Sequence, residues 1–283
     1  MKNRTTICAL IWTFNPDIKR FEKVLASIKN QVNKIVVVDN CSSNIEETEN
    51  LCKKFNSILI KIGFNSGVHA LNVGMKFILK KIKPEFILLL DQDSILYPNA
   101  IQTIISKIKK AGIEKIFGAV QIYMYSAQKE HKGKFIPIKY GIFSGSLIRA
   151  ELVRKGLKAR EEFFLDQADF DFYYNIRKLG FPTFLYGKKL MKHRLGRKIK
   201  LPLFQPKTLK EREGWKYQPP WRFYYIVRNS TVLLFERKMD MRYYLTQIIF
   251  YTISLIFMNE ILKTLKALVF GLIHGLLKKL GPF

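Results

Sequence analysis

Phe86-Ile87-Leu88-Leu89-Leu90 is a run of five apolar residues that stops at Asp91-Gln92-Asp93-Ser94. A strand with no polar alternation is buried on both faces, as happens in a parallel sheet covered by helices. Open α/β sheets bind ligands beyond the carboxyl ends of their strands, so two carboxylates one residue apart at such an end are placed for chemistry. Asp-x-Asp there can hold a divalent cation through oxygen, and the cation can hold a diphosphate. The same residues also read as two solvated acids leading the chain out of a core toward the turn at Tyr97-Pro98.

The residues before this run favour the first reading. Thr6–Trp12 is apolar and is broken by Thr13-Phe14-Asn15-Pro16-Asp17, after which Leu25, Ile28 and Val32 recur at helical spacing. Ile35-Val36-Val37-Val38 predicts a second buried strand ending in Asp39-Asn40-Cys41-Ser42-Ser43, and a helix is expected over 46–55. A strand over 58–62, the loop Gly63-Phe64-Asn65-Ser66-Gly67 and a helix near 69–81 follow. Strand and helix alternating with short links imply a parallel sheet with right-handed crossovers. Four strand ends then carry polar groups: Thr13 and Asn15, Asp39 and Asn40, Asn65 and Gly67, Asp91 and Asp93. Lined along one sheet edge, they describe a cleft of nucleotide size.

Composition narrows the partners. The 283 residues are 48% hydrophobic, enough for one large α/β domain and an appendage. Lys and Arg number 49 against 22 Asp and Glu, a formal charge of +27, which calls for a polyanionic partner: nucleic acid, an anionic lipid surface or a diphosphate ligand. No stacking-aromatic or recognition-helix motif accompanies that charge, so nucleic acid is not expected. Cys8, Cys41 and Cys52 have no metal-site spacing. With no cleavable apolar leader at Met1-Lys2-Asn3-Arg4-Thr5, they fit a reducing compartment.

Asp166, Asp169 and Asp171 sit among Phe163, Phe164, Phe170, Phe172, Tyr173 and Tyr174. If a helix runs from Asp169 to about Leu179, the acids near its start are either caps favoured by the helix dipole or hold a general base. Tyr140-Gly141-Ile142-Phe143-Ser144-Gly145-Ser146 offers small, flexible backbone, suited to passing beneath a bound sugar or to a bulge. From residue 183 onward there are twenty Lys or Arg against five Asp or Glu, and 188–200 holds seven bases and no acid. The stretch 201–220 is proline-punctuated and a helix is predicted over 222–235. Seventeen uncharged residues, 243–259, are only just long enough to cross a bilayer core. The segment 261–280 mixes Lys263, Lys266, His274 and Lys278 with large apolar residues. It reads as a helix lying in an anionic interface, or packed on the catalytic domain, or at a homodimer interface.

Thr13-Phe14-Asn15-Pro16, Val37-Val38-Asp39-Asn40 with Ser42, and Leu90-Asp91-Gln92-Asp93-Ser94 resemble, in order, the signatures of inverting family 2 glycosyltransferases of GT-A fold. The resemblance continues in Asn65-x-Gly67 with Asn72-x-Gly74, in Asp166-x-x-Asp169-x-Asp171, and in Arg177-Lys178-x-Gly180-Phe181. His193-x-x-Gly196 and Arg228-Asn229 complete it, and the Asp-Gln-Asp-Ser form is similar to a rhamnosyltransferase-like branch.

The resemblance implies a GT-A, mostly parallel α/β sheet followed by apolar and amphipathic C-terminal helices. It implies a dTDP- or UDP-sugar donor, with Thr13, Asn15, Pro16, Asp39, Asn40, Asn65, Gly67 and Asp91 around the nucleotide. Asp93, Asp91 and His193 would hold Mg²⁺ or Mn²⁺, and Asp169, with Asp166 as competitor, would be the base. Ser144, Gly145 and Arg228 would lie toward the acceptor and phosphates. Transfer would run to a glycan or lipid-linked saccharide, by a protein peripheral to the cytoplasmic face of a membrane. The boundaries expected are 1–200 for the catalytic domain, 201–240 for a basic, aromatic connection and 241–283 for membrane association. The rivals without this chemistry are a basic nucleic-acid-binding module and a non-catalytic membrane-surface scaffold.

Overall fold

The computed structural model describes residues 5–122, 131–193, 198–199 and 215–282. The first half builds as its apolar runs require. Strands β1 (Ile7–Thr13), β2 (Lys34–Asp39), β3 (Ile58–Lys61) and β4 (Phe86–Asp91) are parallel neighbours in the order β3-β2-β1-β4. Helices α1 (Ile18–Ile28), α2 (Ile45–Lys54) and α3 (His69–Lys81) make the crossovers between them. Asp17 caps α1 by accepting from the Arg20 N–H, one of the donors a helix start leaves unmatched. Leu88, Leu89 and Leu90 are wholly buried, so the missing polar alternation in β4 reflects burial on both faces.

A short pairing, β5 (Ile95–Leu96), and helix α4 (Ala100–Lys110) follow, and the sheet then changes character. Strands β6 (Ala119–Gln121), β7 (Phe135–Pro137), β8 (Ser146–Arg149) and β9 (Thr183–Tyr186) extend it in the order β4-β8-β6-β9-β7. In this half β8 and β7 run antiparallel to their neighbours. Helix α5 (Ala150–Arg154) follows β8 directly, and helix α6 (Ala168–Lys178) precedes β9.

Register sets the working edge. Thr13 pairs with Asp39 and Trp12 with Asp91, so β1, β2 and β4 deliver their polar ends at one level. Strand β10 (Met191–Lys192) pairs antiparallel with β5, Met191 opposite Leu96 and Lys192 opposite Ile95. That two-residue ladder returns His193 to Ser94, almost a hundred residues earlier in the chain. Behind the edge, Gly74 of α3 lies so close to β1 that a Cβ would stand 2.3 Å from a Leu10 methyl carbon. Asn72 exchanges two hydrogen bonds with the Ala159 backbone, each 2.8 Å. Asn72 and Gly74 therefore serve helix packing. Burial pushes the thiols of Cys8 and Cys52 up to about 12, leaving them poor nucleophiles, while Cys41 is exposed.

Contacts group the chain into two units. The sheet unit takes 1–124, 130–159 and 172–194, and the second takes 125–129, 160–171 and 195–283. The acidic segment 160–171 thus groups with the C-terminal helices, where composition alone had placed a boundary near 200. The second unit is built on helices α7 (Pro220–Phe235), α8 (Met241–Ile256) and α9 (Ile261–Leu276). Pro220 sits in the first turn of α7, where its missing N–H costs nothing.

An ion network links 160–171 to the end of α7. Arg160 Nη1 lies 2.7 Å and Lys238 Nζ 3.1 Å from the Glu236 carboxylate, and Lys238 Nζ also reaches Asp171 at 2.6 Å. Burial alone would raise the Glu236 carboxyl, but the hydrogen bonds from Arg160 and Lys238 hold it down at about 2. A depressed carboxyl adds stability above its unfolded value near 4.5, and that stability is lost as pH falls toward 2. Urea unfolding at pH 6 and pH 3 should therefore show a loss at pH 3 that is smaller in Glu236→Gln, a variant already weaker at pH 6.

Candidate active site

Asp91, Asp93 and His193 converge at the end of β4, each offering a ligand atom within 4.8 Å of the others. His193 Nε2 stands 3.9 Å from Asp91 Oδ2, and Nδ1 stands 3.2 Å from Asp93 Oδ1. Asp93 Oδ1 is buried and accepts no hydrogen bond among the described residues. A buried carboxylate oxygen without a donor is costly, and a cation among these three groups would satisfy it. Two carboxylates and an imidazole suit Mg²⁺ or Mn²⁺, so the residues fit a divalent ion.

The support behind these ligands was only partly visible in sequence. Ser94 Oγ is 2.8 Å from His193 Nδ1 and 2.6 Å from Ser144 Oγ, and the Asp91 N–H donates to Ser144 Oγ at 3.0 Å. With Nδ1 donating to Ser94, Nε2 keeps its lone pair on the side of Asp91. Gln92 grips the Phe14 backbone twice, accepting from its N–H at 2.8 Å and donating to its carbonyl at 3.1 Å. Arg20 Nε donates to the Asp93 carbonyl at 2.8 Å. The sequence alone assigns no site role to Ser94, Gln92 or Arg20. The ladder of β5 and β10 is too short to announce the first, and the other two act on backbone.

Ser144 and Gly145 were expected toward the acceptor and phosphates. Ser144 is instead buried beneath the aspartates, its hydroxyl engaged by Asp91 and Ser94. Gly145 takes a φ of 80°, open to glycine at little cost, while its N–H donates to the Leu89 carbonyl at 2.8 Å. Gln121 Nε2 holds the Ser144 carbonyl at 2.7 Å, and Gly141 lies flat on Tyr173, whose ring a Cβ would meet at 2.1 Å. This loop is a fixed floor.

At the neighbouring strand ends, Asp39 is 1% exposed. Its Oδ2 accepts from Thr13 Oγ1 at 2.7 Å and Ser42 Oγ at 2.6 Å, and its Oδ1 accepts from the Ser42 N–H at 2.8 Å. An ionised carboxylate has about four lone-pair sites, so one on Oδ1 is left over. Asn40 Oδ1 accepts from Ser66 and its Nδ2 donates to the Gly67 carbonyl at 3.1 Å, tying the β3–α3 loop to β2. Asn65 Oδ1 accepts from the Gly67 N–H, and Gly67 has a φ of 56°. Asn15, at φ 46°, accepts from Ser43 through Oδ1, and the Pro16 carbonyl accepts from Asn44 Nδ2 at 2.8 Å. Thr13, Asn15, Asp39, Asn40, Asn65 and Gly67 thus belong to one hydrogen-bonded rim.

In the second unit, Phe164, Asp166 and Gln167 all lie at positive φ, between 56° and 63°. Three non-glycine residues in that region within four positions store strain that other contacts must hold. Asn229 Nδ2 contacts the Phe163, Leu165 and Asp166 carbonyls at 2.7 to 3.1 Å. Arg222 forks onto both Asp166 oxygens at 2.8 and 2.9 Å. Arg228, expected toward the phosphates, is 1% exposed and donates to the Phe163 and Gly281 carbonyls, its guanidinium 4.8 Å from the Tyr225 ring centre. A guanidinium so enclosed braces the segment. Asp169 stands in the first turn of α6, accepting from the Phe170 N–H at 3.0 Å.

A mixed, mostly parallel sheet whose central strand ends in Asp-x-Asp, with a histidine brought back to it, is a GT-A-like sugar-nucleotide transferase architecture. Residues 8–172 match the family described as Glycosyl transferase family 2, and the chain belongs to that family: it is a glycosyltransferase. Over 295 aligned residues it is 25% identical to dTDP-rhamnosyl transferase RfbF of Shigella flexneri, covering 93% of this chain and 90% of that protein. TarS 1-349 of S. aureus in complex with UDP shares the fold at a TM-score of 0.56 and 18% identity, covering 81% of this chain and 66% of that one. GalNAc-T7 with UDP, GalNAc and Mn²⁺ gives a TM-score of 0.58 at 12% identity, covering 82% of this chain and 48% of that one.

Proposed function

We propose that the chain transfers L-rhamnose from dTDP-rhamnose to a saccharide hydroxyl of a cell-surface glycan or lipid-linked precursor, with inversion at the anomeric carbon. The carrying observation is the shared sheet edge: the Thr13–Asp39–Ser42 cluster and the Asp91–Asp93–His193 group stand at the ends of adjacent strands. The name of the Shigella relative supports the choice of sugar and base.

In this reading the leftover lone pair of Asp39 Oδ1 is offered to the imide N–H of thymine or uracil, which only an acceptor can match. Asp91, Asp93 and His193 would hold Mg²⁺ or Mn²⁺, which would supply positive charge against the diphosphate. Asp169 takes the acceptor proton as the acceptor oxygen bonds to the anomeric carbon from the face opposite the diphosphate. The bond from that carbon to the diphosphate oxygen breaks, and the diphosphate leaves with the electron pair. Asp166 is the weaker candidate because both its oxygens are on Arg222.

Thermal-shift screening with dTDP-, UDP- and GDP-sugars, with and without Mn²⁺, tests this reading. A shift largest for dTDP-rhamnose with Mn²⁺, followed by transfer to a saccharide acceptor, is expected; a shift with GDP-sugars alone would overturn the choice of base. Ser94→Ala, which takes the partner from His193 Nδ1, should weaken Mn²⁺ binding by about 10- to 100-fold in a calorimetric titration while leaving the fold unchanged.

A further inference from the structure

Helix α9 is seated on α7 by its small residues. Thr264, Ala267, Gly271 and Gly275 are its buried positions. A Cβ at Gly271 would stand 2.8 Å from Val227 Cβ, and one at Gly275 would stand 2.7 Å from the Arg228 carbonyl oxygen. Backbone therefore lies directly on the partner helix, and the large side chains of α9 are not needed for that contact. They point elsewhere: Leu262, Leu265, Val269, Ile273 and Leu276 are 44% to 83% exposed. At about 100° per residue these five fall on one stripe opposite the small-residue seat. Leu245, Ile249 and Ile256 of α8 are likewise exposed. Large apolar side chains left exposed in a stripe along a helix mark an interaction site.

Its charge selects the partner. Residues 241–282 carry Arg242, Lys263, Lys266, Lys278 and Lys279 against Glu260 alone. Glu260 accepts from the Tyr217 hydroxyl at 2.7 Å and lies 4.0 Å from Lys263. Lys263 and Lys266 flank the apolar stripe on one side, with the Lys266 ammonium 6.0 Å from the Phe270 ring centre. No helix among the described residues is long and apolar enough to cross a membrane. An apolar stripe bordered by cations suits a helix lying in the headgroup layer. We propose that the exposed face of α9, together with that of α8, inserts into the interface of an anionic lipid bilayer and holds the protein there peripherally. This surface belongs to the second unit alone, and its occupancy does not depend on which sugar is transferred.

Flotation of the full chain with phosphatidylcholine vesicles, with and without phosphatidylglycerol, tests the proposal without measuring catalysis. Binding is expected with phosphatidylglycerol and should fall as salt rises. Leu265→Glu with Val269→Glu should abolish it with circular dichroism unchanged, since both sites are exposed. Lys263→Ala and Lys266→Ala should each weaken it about 5-fold, the worth of one cation at such a surface. Three results would overturn the proposal: no binding to anionic vesicles, equal binding by the Glu variant, or a vesicle-free dimer in light scattering that the Glu variant dissolves. The last would make the face a contact between two copies.

Discussion

Asp93→Asn is expected to lower metal-dependent sugar transfer by at least about 10²-fold, with a melting temperature close to wild type. The substitution keeps the side-chain volume and removes the charge. The backbone at this position stays anchored, because Arg20 Nε holds the Asp93 carbonyl at 2.8 Å. Oδ1 is buried and accepts no hydrogen bond among the described residues, so exchanging the carboxylate for a neutral amide of the same shape breaks no hydrogen bond at that atom. The loss should therefore appear in the dependence on Mn²⁺ and not in denaturation. Transfer by Asp93→Asn at the wild-type rate, with an unchanged Mn²⁺ titration, would remove Asp93 from the metal group.

The second large effect is expected at the start of α6. Asp169→Asn should slow transfer by about 10²- to 10⁴-fold, the usual cost of losing a positioned base, with donor affinity nearly unchanged. Asp166→Asn should behave differently. It cuts a two-pronged pair to Arg222 at a residue held at φ 56°, so its main consequence should be lower stability. Single-turnover rates and melting curves for both variants separate the roles. A stable but inactive Asp166→Asn beside an active Asp169→Asn would exchange them.

The parallel half of the fold was legible because its strands are unbroken apolar runs, and burial on both faces leaves no other pattern. Its polar ends were legible for the same reason: each apolar run stops at a side chain that needs hydrogen-bond partners, which Thr13, Asp39 and Asn40 find while buried. The antiparallel half was not, since β6, β7, β8 and β9 have only three or four residues each and no alternation distinguishes them from loops. His193 could be named from its place in a motif. Its link to Ser94 and Asp91 depends on a two-residue ladder that no local periodicity encodes. The Arg228-Asn229 motif placed Arg228 toward the acceptor and phosphates; that both side chains donate to the carbonyls of a strained segment is a role that no local pattern announces. Within the basic stretch 188–200, residues 194–197 and 200 lie outside the described residues, and the expected surface role of the stretch stays with the sequence.

The claim on which the rest depends is that Asp91, Asp93 and His193 hold a divalent cation that in turn holds the donor diphosphate. Calorimetric titration of dTDP into the full chain, with and without Mn²⁺, reads this directly when repeated on Asp93→Asn. Binding that tightens at least about 10-fold with Mn²⁺ in the wild type, and gains nothing from it in the variant, is the predicted result; equal affinity with and without the cation in both proteins would contradict it.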